Sequence, residues 1–128
     1  MKLDAIEVVT LFVDDVLAAK AFYRKVFAAE TVFEDDAGAV LGFAGAMVNL
    51  LDGRQAPELV EPNKVAPSSA GSRVLLTIRV DDCDATCAAL SKLGVALLNG
   101  PIDRPWGRRT AAFADPSGHV WEVAQVLE

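Results

Sequence analysis

Residues 8–30 read VVTLFVDDVLAAKAFYRKVFAAE, and residues 75–97 read LLTIRVDDCDATCAALSKLGVAL. The two stretches align without a gap at an offset of 67 residues. Thr10 matches Thr77, and Val13-Asp14-Asp15 matches Val80-Asp81-Asp82. Ala18, Ala21, Lys25 and Ala29 match Ala85, Ala88, Lys92 and Ala96. These eight identities in 23 positions, with Val-Asp-Asp in register among them, mark a duplicated structural unit.

Each copy reads as a strand that turns into a helix. Val9, Leu11 and Val13 alternate with Val8, Thr10 and Phe12, and Leu76, Ile78 and Val80 alternate with Leu75, Thr77 and Arg79. The Asp pair then supplies an N-cap and a first-turn acid, so capping is the expected role of both pairs. Helical spacing predicts a core stripe of Ala18, Phe22, Val26 and Ala29 in the first helix. In the second it predicts Ala85, Ala89 and Leu93.

Three strand candidates follow each helix. They are 31–35, 39–44 and 46–51 in the first copy, separated by Asp36-Ala37-Gly38 and Gly45. In the second they are 95–98, 108–114 and 119–126, separated by Asn99-Gly100-Pro101 and Asp115-Pro116-Ser117-Gly118. The expected architecture is α+β, one domain of two tandem βαβββ modules forming a curved, partly open barrel-like sheet around a concave cavity. Module 1 covers about residues 1–51 and module 2 about 72–128. The connection, 52–71, has three prolines and is expected to be exposed and mobile, or a flap over a site.

Composition narrows the function. The chain has 128 residues, 52% hydrophobic and 23% charged, which suits one globular domain. Twelve basic against eighteen acidic residues give a net charge of −6, which argues against non-specific binding to nucleic acid or an anionic membrane. No apolar stretch is long enough to span a bilayer, and the acids of Met1-Lys2-Leu3-Asp4-Ala5-Ile6-Glu7 do not suit a signal peptide. A cytoplasmic location is expected. Cys83 and Cys87 lie four apart, a helical spacing too wide for an unstrained disulfide, and read as reduced packing thiols. His119 is the single histidine, so a Cys/His zinc site is hard to assemble. No G-x-S-x-G, Walker A or dinucleotide fingerprint is present.

The paired modules, the Val-x-Asp strand ends and Phe22-Tyr23 resemble the glyoxalase/bleomycin-resistance (vicinal oxygen chelate) superfamily. So do Pro105-Trp106-Gly107-Arg108-Arg109 and Asp115-Pro116-Ser117-Gly118-His119-Val120-Trp121-Glu122. The resemblance implies one of two functions. Enzymes of the superfamily hold a divalent metal that a substrate chelates. Its binding proteins hold drugs such as bleomycin in a metal-free cleft, usually at a homodimer interface.

The resemblance places the enzymes' metal ligands on the first and last strands of each module. Here those positions carry Val8 and Leu75 on the first strands, Asn49 on the last strand of module 1, and Glu122 on that of module 2. Two hydrocarbons, an amide and one carboxylate make a poor transition-metal set, so no metal and no cofactor are expected. Glu122 is expected beside Val8, Thr10, Leu75 and Thr77. It would be paired with Arg79 or Arg109, or would attract a cationic ligand. Trp106, in a turn before a strand, is expected to stack on a planar ligand or cover an edge. Arg109 is expected to hold that turn or meet a ligand acid, and Phe12, Phe33 and Phe43 to add aromatic lining. Trp121 should point away from Glu122 and pack beneath a helix. The expected function is a homodimeric small-molecule-binding protein that sequesters an aromatic or cationic metabolite or antibiotic. The alternative is a glyoxalase-like lyase or isomerase using Glu122 as metal ligand or acid/base.

Overall fold

In the computed structural model, which describes all 128 residues, the first copy of the repeat opens as strand β1 (Val8–Val13) and enters helix α1 (Val16–Phe27). The second opens as β5 (Leu75–Arg79) and enters α3 (Cys83–Lys92). The second Asp of each pair is the N-cap. Asp15 Oδ1 accepts the Ala18 N–H at 3.0 Å, and Asp82 Oδ1 accepts the Ala85 N–H at 3.0 Å. Each satisfies a donor that the first helical turn leaves unpaired. Asp14 and Asp81 precede their caps and do not supply first-turn acids.

After α1 come β2 (Glu30–Asp35), β3 (Gly38–Phe43) and β4 (Ala46–Asp52), giving a sheet of order β1-β4-β3-β2. After α3 come β6 (Leu97–Arg104), β7 (Arg108–Ala114) and β8 (Val120–Val126), giving the order β5-β8-β7-β6. In each sheet the first strand runs parallel to the last, and the other pairs are antiparallel. The fold is therefore α+β, with two tandem modules of four mixed strands in which neither sheet closes on itself. The chain divides into two compact units, Met1–Ala70 and Gly71–Glu128.

The helices are phased differently from the predicted stripes. In α1 the buried positions are Ala19 and Tyr23, with Phe22 and Val26 only half-buried. Tyr23 stacks on Phe27, with centroids 5.3 Å apart, and meets Phe22 edge-on at 5.3 Å. Burying a ring of this size contributes roughly 2–3 kcal/mol, more than an alanine can offer, so the aromatic side chain sets the phase. In α3 the buried stripe is Cys83, Cys87 and Leu90, while Ala85 and Ala89 are exposed. Gln125 of β8 fixes that phase, because its Oε1 accepts the Cys83 N–H at 2.8 Å.

Strand β6 also differs from expectation. It runs through Asn99-Gly100-Pro101 to Arg104, with register shifts between Leu97 and Asn99 and between Asn99 and Ile102. Gly100 has φ +90, and a Cβ there would collide with the backbone of Thr110 and Ala111. The glycine lets β6 stay against β7 where a side chain would push it off. The connection is less featureless than its prolines suggest. It holds a 3₁₀ turn at Gly53–Gln55, helix α2 (Pro57–Val60) and a 3₁₀ turn at Ser68–Ala70, with Ala56 fully buried. Most of it belongs to the first unit.

Candidate functional site

Strand alternation gives each sheet a face that packs its helix and a distal face. In the first unit the helix-side residues are Leu11, Val13, Ala39, Leu41, Val48 and Leu50, all buried. On the distal face Thr10, Asn49, Val40 and Phe33 form one row across β1, β4, β3 and β2. Asn49 Nδ2 donates to Thr10 Oγ1 at 3.4 Å. Val8 lies one step along the same face. A bulge between Thr31 and Phe33 turns Phe33 into the row, where it is 60% exposed. Phe43 stands on the other face, in the helix-side set, with its ring 5.5 Å from that of Phe27. It packs under α1 and does not line the distal face.

The second unit repeats the row with one change of charge. Thr77, Glu122, Ala112 and Asn99 stand side by side across β5, β8, β7 and β6. Thr77 Oγ1 donates to Glu122 Oε1 at 3.0 Å. Asn49 is thus the counterpart of Glu122, each beside the threonine of its own first strand. Leu75 lies one step along and is exposed. Trp121 points the other way and is buried.

Neither Arg79 nor Arg109 forms an ion pair with Glu122. Arg109 lies on the helix side, where Nε donates to Asp103 Oδ1 at 2.6 Å and Nη1 to Asp84 Oδ2 at 3.1 Å. The guanidinium ties β6 to the start of α3, and these two carboxylates raise its pKa. Its role is to hold strand and helix together, and its charge is already answered. Trp106 occupies the turn between β6 and β7 and is 68% exposed.

The Asp-Pro-Ser-Gly-His run is a built turn. Asp115 Oδ1 accepts the N–H groups of Ser117 and His119 at 2.9 Å each, and His119 Nδ1 lies 2.9 Å from Oδ2. With its carboxylate buried, Asp115 fixes where β8 begins and so where Glu122 stands. A third group was not visible in the sequence. Arg104 Nε donates to Thr110 Oγ1 at 2.9 Å and Nη2 to Asn99 Oδ1 at 3.3 Å. No motif marks it, and ending the strand before Asn99 hides the alternation that brings these three to one face.

The residues present do not fit a catalytic metal. No group of three or more His, Cys, Asp or Glu side chains is placed to hold an ion. Val8 and Leu75 offer only hydrocarbon, and Asn49 offers a neutral amide oxygen, a poor transition-metal donor. Within the second unit Glu122 has a hydroxyl partner and no second charged ligand beside it.

The comparisons with known proteins agree with this architecture. The curated Bacillus subtilis (strain 168) protein YraH, itself uncharacterised, is 35% identical over 82 residues, 62% of this chain. The chain spans 64% of that relative's length. A glyoxalase/bleomycin resistance protein/dioxygenase from Nocardioides superposes with a TM-score of 0.88 at 22% identity, over 100% of this chain and 87% of that one. A lactoylglutathione lyase from Agrobacterium tumefaciens superposes at 0.76 and 24% identity, over 98% and 96%. TnmS3, an antibiotic binding protein from Streptomyces sp. CB03234, superposes at 0.72 and 30% identity, over 98% of both chains. The family model for the Glyoxalase/Bleomycin resistance protein/Dioxygenase superfamily matches residues 5–123, and the chain belongs to that superfamily.

Proposed function

We propose that the protein is a metal-free, cytoplasmic small-molecule-binding protein that works as a homodimer and sequesters an aromatic or cationic metabolite or antibiotic. The observation that carries this reading is the donor set. Val8 and Leu75 are hydrocarbon at the superfamily's ligand positions, while Glu122 keeps its carboxylate beside a neutral hydroxyl. A carboxylate so placed attracts cations without needing a metal. The 30% identity with an antibiotic binding protein supports the same direction. The proposed ligand-binding residues are Val8, Thr10, Phe33 and Asn49 in the first unit and Leu75, Thr77, Trp106 and Glu122 in the second, with exposed Trp106 stacking on a planar ligand.

The test is Trp fluorescence against a panel of antibiotics and aromatic metabolites. Saturable quenching is expected, and calorimetry with the same compounds should show weaker binding in Trp106→Ala, whose exposed ring is the proposed stacking surface. A panel without binders, or equal binding by Trp106→Ala, removes the reading. One observation favours a second reading, a lyase or isomerase. Glu122 has a single neutral partner and so retains lone pairs for acid/base work. Turnover that is lost in Glu122→Gln would establish it.

A further inference from the structure

We infer that the distal face of the second sheet is a site for an ampholyte, a small molecule carrying a cationic and an anionic group, with Glu122 taking the cation and Arg104 the anion. The inference rests on the small-molecule-binding reading and names the ligand class. Of the seven arginines, Arg24, Arg54 and Arg109 are ion-paired, whereas Arg73, Arg79, Arg104 and Arg108 are not. Arg24 meets Glu34 at 2.7 Å, Arg54 meets Asp52 at 2.6 Å, and Arg109 meets Asp103 at 2.6 Å. Arg104 and Glu122 stand on one face, yet neither appears in any ion pair.

Each is instead held by neutral oxygens. The Thr110 hydroxyl and the Asn99 carbonyl fix the Arg104 guanidinium, and the Thr77 hydroxyl fixes the Glu122 carboxylate. Such bonds orient a charge without cancelling it, and they leave part of the Arg104 N–H fork for another acceptor. Asn99 and Glu122 are both neighbours of Ala112, one on each side. The two charged groups are therefore about two strand spacings apart, on the order of 10 Å, too far to pair directly. The residue between them is an alanine, which leaves a low floor for a ligand to lie across. Both side chains are half-buried, which raises the worth of each interaction above that of an exposed pair.

Four probes on one ring test this by calorimetry: 4-(aminomethyl)benzoate, benzylamine, benzoate and benzyl alcohol. The zwitterion is expected to bind at least about tenfold more tightly than either singly charged probe. Glu122→Gln should weaken benzylamine and the zwitterion more than benzoate, and Arg104→Gln should do the reverse. Arg79→Gln, at an exposed position past the row, should change zwitterion affinity less than twofold (about 0.4 kcal/mol). The wild-type ranking needs no variant, so it holds even if one variant fails to fold. A zwitterion no tighter than its halves, a larger loss in Arg79→Gln than in Arg104→Gln, or no binding by any probe overturns the inference. In each of those cases the antibiotic panel still decides the sequestration reading independently.

Discussion

Thr77 stands opposite Glu122 across the parallel β5–β8 pair and gives its hydroxyl hydrogen to Oε1 at 3.0 Å. The same step in the first unit places Thr10 opposite Asn49, at 3.4 Å. The duplicated strand thus keeps its threonine in both copies, while the partner strand carries a charge in only one. Thr77→Val keeps the shape and removes the donor. Its stability cost should be about 1 kcal/mol or less, because Thr77 is exposed and water can replace it. Its effect on cation binding should be larger, since the carboxylate is no longer oriented. Chemical denaturation alongside benzylamine calorimetry separates the two, and a large stability loss with unchanged binding would make the pair purely structural.

Cys83 and Cys87 are buried free thiols on the sheet side of α3. Burial, with Cys87 beside it, pushes the Cys83 thiol up to about 11. At pH 8 only about one molecule in a thousand then carries the thiolate. Native protein should resist a thiol reagent at that pH, and both cysteines should label once the chain is unfolded. Fast labelling of the native protein would mean that α3 leaves the sheet readily.

Asp52 closes β4 and accepts from Arg54 through the backbone N–H at 3.0 Å and the guanidinium at 2.6 Å. The side-chain bonds to Arg54 are the main cause that lowers its pKa from 3.8 to about 2. Because the folded-state value lies below the unfolded one, this carboxylate favours the native state above about pH 4. The contribution fades as pH falls towards 2. Carboxyl NMR should find the Asp52 midpoint near 2, and Arg54→Ala should return it towards 3.8. A wild-type midpoint near 4 would show that the pair does not persist in solution.

The repeat makes the fold legible, because one gapless alignment fixes both strand–helix units. The matched Val-Asp-Asp ends place Thr10 and Thr77 in comparable registers, and the superfamily resemblance points to Asn49 and Glu122. What alternation could not deliver follows from irregular backbone. The bulge before Phe33 turns that ring to the distal face, whereas Phe43, in a regular strand, points to α1. Gly100 carries β6 past a sequence that reads as a turn, so Arg104 and Asn99 stay hidden as a pair. Arg109 looks like a ligand group in the sequence because its partners, Asp103 on the neighbouring strand and Asp84 on a helix 25 residues away, come to it only through the fold. Charge partners across elements leave no local pattern.

The two copies end their helices differently, and that difference is measurable. Helix α1 stops at Ala28, which adopts the left-handed conformation at φ 50 and ψ 33. Helix α3 runs out through Leu93 into Gly94 at φ 82. An alanine in the left-handed region costs roughly 1–2 kcal/mol, because its Cβ crowds the following carbonyl. A glycine there costs only the extra entropy of the unfolded chain, about 0.5–1 kcal/mol. Ala28→Gly should therefore stabilise the protein by up to about 1 kcal/mol, and Gly94→Ala should destabilise it by about 1 kcal/mol. Both positions are exposed, so neither change disturbs core packing. Urea melts of the two variants and their double mutant give the answer, and the effects should add because the sites lie on different helices. A loss of stability in Ala28→Gly would show that the α1 terminus relaxes out of the left-handed region in solution.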